Sequence, residues 1–137
     1  MDFIVAEEGV LVSVGAYGAK IVYYGSEIVL NYETEPPMGD FIFSAKLPLL
    51  NREIPFWMYG RNLVFLDAYY VLVEKVEKKT WDPITTVIIN IHTGKYASLG
   101  NWYTDISVEN DVVLKNRFDG NSMTLKGVDD LNWINIE

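Results

Sequence analysis

The sequence predicts an all-β protein of short antiparallel strands. Three observations carry this. Apolar and polar residues alternate with a period of two along most of the chain. The apolar runs are rich in β-branched and aromatic residues, which fit a pleated, half-buried surface. Turn signals recur about every 8–14 residues: Glu8-Gly9, Gly15–Gly18, Gly25-Ser26, Pro36–Gly39, Gly60, Asp82-Pro83, Thr93-Gly94, Gly100-Asn101, Asn110-Asp111 and Asp119–Asn121. Such spacing marks an antiparallel protein rather than one built of βαβ units.

In chain order, Val10–Val14 is a short β-branched run. Lys20–Tyr24 and Glu27–Tyr32 flank Gly25-Ser26, read as a two-residue hairpin turn whose glycine tolerates positive φ. Asp40–Lys46 is a strand with Phe41 and Phe43 on one face. Phe56–Tyr59 is aromatic-rich, and Gly60 separates it from Leu63–Leu66. Asp67-Ala68 then turns the chain into Tyr69–Val76. Thr85–Ile91 is the most β-branched segment, and His92–Lys95 turns it into Tyr96–Leu99. Val112–Lys115, Met123–Lys126 and Trp133–Ile136 complete the set. A helix fits only around residues 45–54, and Pro48 and Pro55 keep it short. Phe41, Phe43, Phe65 and Tyr69 lie within strands and are expected in the core.

One internal echo bears on architecture. Leu49-Leu50-Asn51-Arg52 and Leu114-Lys115-Asn116-Arg117 share Leu-x-Asn-Arg, and each precedes a strand bearing a tryptophan, Trp57 or Trp133. Repeated short sheets suggest propeller blades, as does the strand–turn–strand run from Val87 to Leu99. At roughly 40–50 residues per blade, 137 residues hold two or three. The expected architecture is therefore a single domain of blade-like sheets, an open partial β-propeller, or a small β-sandwich.

Half of the residues are hydrophobic, and no apolar run approaches the roughly 18 residues of a membrane span. The start, MDFIVAEEGV, is acidic and unlike a secretion signal. There is no cysteine and no Asn-x-Ser/Thr sequon, which points to the cytoplasm.

The net charge is −8, and it is unevenly placed. Residues 1–40 hold seven acids against Lys20 alone, and residues 96–137 hold seven acids against Lys115, Arg117 and Lys126. Between them, five acids meet seven bases. Nucleic acid and anionic membranes repel such a chain, so the expected partner is positively charged. Lys75, Lys78 and Lys79 alternate with Glu74 and Glu77 and read as a solvated hairpin end.

The sequence offers little catalytic equipment, and no catalytic residue, metal or cofactor is assigned. Without cysteine there is no thiol nucleophile or thiolate site. A serine triad would need the single histidine, His92, beside a Thr-Gly turn, where a surface role is the plainer reading. No phosphate-binding glycine loop is present; Gly15–Gly18 is a turn. Asp105 with Glu109, or Asp129 with Asp130, are the pairs a glycosidase would use. Asp119-Gly120-Asn121 is too small for a calcium cage. A small-ligand or carbohydrate groove lined by Trp81 and Trp102 is the alternative binding function.

The acidic ends (VAEEG, NYETEP, WYTDISVENDVV, KGVDDLNW), the run of short strands and the length are similar to those of bacterial immunity proteins. These neutralise the nuclease toxins of contact-dependent growth inhibition and related polymorphic systems. One group, partnered with toxins of ribonuclease A-like fold, is built as about half a β-propeller, and the strand tally here resembles it. The resemblance implies a cytoplasmic, non-enzymatic inhibitor whose acidic surface takes the place of phosphates in a cationic nuclease site. The residues assigned to that surface are Glu33, Glu35, Asp40, Asp105, Glu109 and Asp111. Trp102 and Tyr103 are assigned as its aromatic anchors.

Overall fold

The computed structural model describes residues 1–37 and 39–135 of the chain; Ile136, placed above in the last strand, lies outside them. The all-β expectation holds. Among the described residues, twelve strands form two open sheets: β1 Asp2–Val5, β2 Ala19–Tyr23, β3 Ser26–Thr34, β4 Ile42–Leu47, β5 Arg52–Glu53, β6 Trp57–Phe65, β7 Tyr70–Val76, β8 Pro83–Asn90, β9 Tyr96–Ser98, β10 Asp105–Val108, β11 Val112–Lys115 and β12 Ser122–Leu125. The larger sheet runs β1-β2-β3-β4-β6-β7-β8-β9, with β5 paired to β4, and the smaller runs β10-β11-β12. Every pairing between strands is antiparallel except β1 with β2. The only helical residues among those described are a 3-10 turn at Pro48–Leu50, where the proline bracket left room for no more.

Two cores explain the apolar pattern. On one face of the large sheet Ile21, Ile28, Leu30, Phe43, Met58, Phe65, Val71, Val73 and Ile89 close on one another. On the other, Val64, Leu72 and Ile88 pack under Leu114 and Leu125 of the small sheet. The strands β6 to β8 are thus buried on both sides. That is why Val71-Leu72-Val73 and Val87-Ile88-Ile89 are continuous apolar runs and not alternating ones. The short sheet β10–β12, covered on one face, keeps the alternation.

The structure differs from the sequence reading at several points. The β2–β3 turn is Tyr24-Gly25, one residue earlier than expected: both take positive φ (42° and 84°), as a primed hairpin turn requires, and Ser26 pairs with Tyr23. Gly60 does not end a strand. It lies within β6 because a Cβ there would run into the ring of the fully buried Phe43. The chain bulges at Asn62 (φ 53°), and register resumes at Val64. Val10–Val14 forms only a bridge: the amides of Gly9, Val12 and Val14 donate to Phe65, Leu63 and Gly60, strapping the N-terminal segment to β6. Among the described residues of the last predicted strand, Ile134 forms one bridge, to Tyr96. Phe43 and Phe65 are buried and Phe41 partly so, but Tyr69 is 54% exposed at the β6–β7 turn. The two Leu-x-Asn-Arg segments are not equivalent. Asn51 caps the 3-10 turn in a left-handed conformation, whereas Asn116 is buried after β11 and its side-chain oxygen receives the amides of Phe118 and Asp119. Among the described residues, no helix is long and apolar enough to cross a membrane.

Candidate functional site

The two acidic segments of the chain meet twice, once at each end of the large sheet. At the end where β3 finishes and β10 begins lie Glu33, Glu35, Asp40 and Asp105; at the other lie Glu7, Glu8, Glu109 and Asp111. The eight residues singled out above are therefore not one surface.

The first end contains an open cleft of about 410 Å³ between the two sheets, lined by Asp40, Arg61, Asn62, Glu74, Trp102 and Phe118 among others. Its floor is Glu74, 1% exposed, whose carboxylate accepts from Arg61 Nε (2.8 Å), Asn62 Nδ2 (3.0 Å) and Trp102 Nε1 (3.1 Å). Three donors satisfy a charge that would otherwise cost several kcal/mol to bury, about what an unpaired interior ion demands. Arg61 also bonds Asp40 through Nη1 (2.6 Å) and lies over the Tyr59 ring at 4.1 Å. Burial opposes the guanidinium charge, but Glu74 and Asp40 outweigh it and raise its pKa above the ordinary value. Opposite, Arg117 pairs with Asp105 at 3.3 Å. Trp102 and Phe118 stack with centroids 5.8 Å apart, and Phe118 is 75% exposed.

Most acids at this end are engaged internally. Asp40 and Asp105 hold arginines, Glu33 accepts from Ser44 (2.6 Å), and Glu35 lies 3.5 Å from the Tyr32 hydroxyl. Trp102 belongs to the cleft wall. Tyr103, assigned as an anchor, is 5% exposed and packs in the core beneath the small sheet, where burial first and Asp119 second raise its phenol pKa. It supports the cleft from behind and presents no surface. Glu74, expected on a solvated hairpin end, is the most buried charge among the described residues. The sequence signal was its phase: Glu74 follows Leu72 by two and shares its face of β7, which the small sheet covers.

The second end is different in kind. The segment Glu7–Gly9 lies beside the β10–β11 turn. A Cβ on Gly9 (φ +74°) would stand 3.2 Å from Val108 Cβ, so only a glycine lets the two segments meet without strain. Glu7, Glu8, Glu109 and Asp111 are all exposed, and none forms an ion pair among the described residues. A cleft of about 460 Å³ beside them is lined by Val5, Ala6, Glu7, Glu8, Tyr23 and Tyr24. Tyr24 is 87% exposed and meets Tyr23 edge-on at 4.8 Å. Burial, then Glu8, Tyr24 and Asp67, raise the Tyr23 phenol pKa. Here like charges lie near the exposed ring of Tyr24, with no ion pair to them among the described residues.

The remaining chemical candidates resolve structurally. Ser26 Oγ lies 3.1 Å from His92 Nε2, and both bond the Ala68 carbonyl. Ser26 is fully buried, so this trio ties the β2–β3, β6–β7 and β8–β9 turns together. Asp105 and Glu109 sit at opposite ends of β10, about 13 Å apart along an extended strand, beyond the span of a glycosidase pair. Asp119 Oδ1 accepts the Asn121 amide (2.8 Å) and closes its own turn. Trp81 lies by Trp57 and Tyr59, away from Trp102, and its carbonyl takes the Tyr59 hydroxyl.

No protein-family model, curated protein or solved structure matches this chain. Its surface chemistry alone distinguishes the two ends: one is self-paired, the other unpaired.

Proposed function

We propose that this chain is a cytoplasmic, non-enzymatic immunity protein that binds and neutralises a cognate cationic nuclease toxin, a ribonuclease A-like domain by the resemblance of its sequence. The observation that carries the reading is the gathering of Glu7, Glu8, Glu109 and Asp111 from opposite ends of the chain, with no ion pair among them, beside the exposed ring of Tyr24. Gathering like charge costs folding free energy and brings no internal contact in return, so it favours an external counterion. A basic nuclease surface supplies one. The acidic field steers its approach, and aromatic contact with a lysine or arginine slows its departure.

The toxin gene is sought beside this one and the two proteins are co-expressed. Protection is then compared for the wild type, for Glu7, Glu8, Glu109 and Asp111 changed to lysine, and for Glu33 and Glu35 changed to lysine. The reading expects protection to vanish only in the first variant. Protection by that variant, if folded, would sink it.

A second reading rests on the cleft. The stacked Trp102 and Phe118 above Asp40, Asn62 and Arg117 suit a sugar or other small polar ligand. Its binding would be indifferent to salt and abolished by Phe118→Ala, which leaves the acidic end untouched.

A further inference from the structure

The larger sheet has two edges, and the chain treats them differently. Beyond β9, the amide and carbonyl of Tyr96 are taken by Ile134, so that edge is covered. At the other edge lies β1, with no strand paired beyond it among the described residues. The amides of Asp2 and Ala6 donate to Gly18 and Val22, on the β2 side. Strand geometry alternates, so the backbone amides and carbonyls of Phe3 and Val5 face away from the sheet. Their side chains are 67% and 69% exposed. Natural proteins guard such an edge with a very short strand, charged side chains, proline or a bulge; β1 has four residues and opens on Asp2, but Met1–Ala6 holds no lysine, proline or bulge, and β1 keeps unbroken register with β2.

The charge around the edge favours one kind of occupant. Asp2 lies at one end of β1, and Glu7 and Glu8 lie just past the other, where Val5 and Ala6 line the same cleft as Tyr24. Two copies of this chain paired antiparallel through β1 would set Asp2 of each against the glutamates of the other. A partner strand with basic residues at its ends meets complementary charge instead.

We propose that the free edge of β1 receives an extended segment of the basic partner as an added strand. Main-chain bonds to Phe3 and Val5 would hold it, apolar side chains would lie beside theirs, and lysine or arginine would reach Asp2, Glu7 and Glu8. This rests on the cationic-partner reading and names the way that partner docks.

The probe is a blocked heptapeptide, Lys-Val-Thr-Val-Thr-Val-Lys, with a glutamate-ended version and a version N-methylated at alternate amides. Binding is followed by amide shifts and hydrogen exchange of the isotope-labelled protein. The lysine-ended peptide is expected to shift and protect the Phe3 and Val5 amides. N-methylation, and separately Phe3→Pro, should weaken binding about three- to tenfold per bond lost. Phe3→Pro removes an outward amide and spares the β2 ladder; Val5→Lys is a second block should the proline perturb folding. Shifts confined to Glu7, Glu8 and Tyr24, with both variants binding as wild type, would overturn strand addition and leave the cationic reading standing. Equal binding of both peptides through Phe3 and Val5 would support strand addition and overturn the cationic reading. No binding at millimolar peptide would overturn strand addition; the toxin co-expression then judges the cationic reading separately.

Discussion

Gly9 and Val108 touch across the junction between the first and last parts of the chain: a Cβ added to the glycine would stand 3.2 Å from that of the valine. This contact brings the segment that carries Glu7 and Glu8 to the β10–β11 turn that carries Glu109 and Asp111. Gly9→Ala combines a left-handed φ of +74° with that close approach. We expect a loss of about 1–2 kcal/mol in urea unfolding, together with weaker partner binding as the two segments part.

Glu74 holds the cleft together. Replacing it by alanine leaves Arg61, Asn62 and Trp102 facing an empty anion site, with only Asp40 still paired to Arg61. Breaking a buried pair from one side costs about 3–5 kcal/mol, and Glu74→Ala should fall near the lower end. Glu74→Ala combined with Arg61→Leu should cost less than the sum of the two single changes. Additive losses in that double-mutant cycle would show that the two side chains do not interact.

Gly60→Ala should destabilise by about 1–3 kcal/mol, the usual range for overpacking, because its methyl group enters the space of the Phe43 ring. Phe43→Leu in the same chain should recover part of that loss. The check is the shift in thermal midpoint of the single and double variants.

Alkaline pH should unfold the protein through its buried phenols. Burial raises the Tyr59 pKa most; Arg61 pulls it down, and Glu74, Asp40 and Asp82 push it up. Tyr23 and Tyr103 are raised as well, chiefly by burial. The unfolded chain releases these protons near pH 10 while the folded chain retains them. Their contribution is therefore complete below about pH 10 and is lost as pH rises from there through the folded-state values. Tyr59→Phe should flatten this decline. It should also cost about 1 kcal/mol at neutral pH for the hydroxyl bond to Trp81.

Strand content was legible because period-two alternation is local; β11 was placed to the residue at Val112–Lys115. What the sequence hid was contact between distant segments. Tyr24 adopts positive φ beside Gly25, which no propensity rule favours for a tyrosine. Gly60 looked like a turn until Phe43 appeared above it. β1, read as no strand at all, is made by a parallel partner 17 residues away and carries only four residues. In the candidate sites, grouping in space differs from grouping along the chain, and Tyr103 lies in the core. Asp40, Trp102 and Asp105 gather around one cleft where both carboxylates bind arginines, and Glu109 and Asp111 join Glu7 and Glu8 at the far end. One-dimensional charge cannot reveal which acids are paired; Arg61 and Arg117 decide that through the fold.

In the proposed function the unpaired acidic end, and not the cleft, holds a basic protein. The most direct measurement is copurification of the tagged chain from its host of origin at low salt. The wild type is compared with the variant carrying lysine at positions 7, 8, 109 and 111, and bound proteins are identified after elution with salt. A basic nuclease domain retained by the wild type, released as salt rises and absent from the folded variant is the predicted result. Retention of the same partner by the variant, or a partner indifferent to salt, would contradict the account.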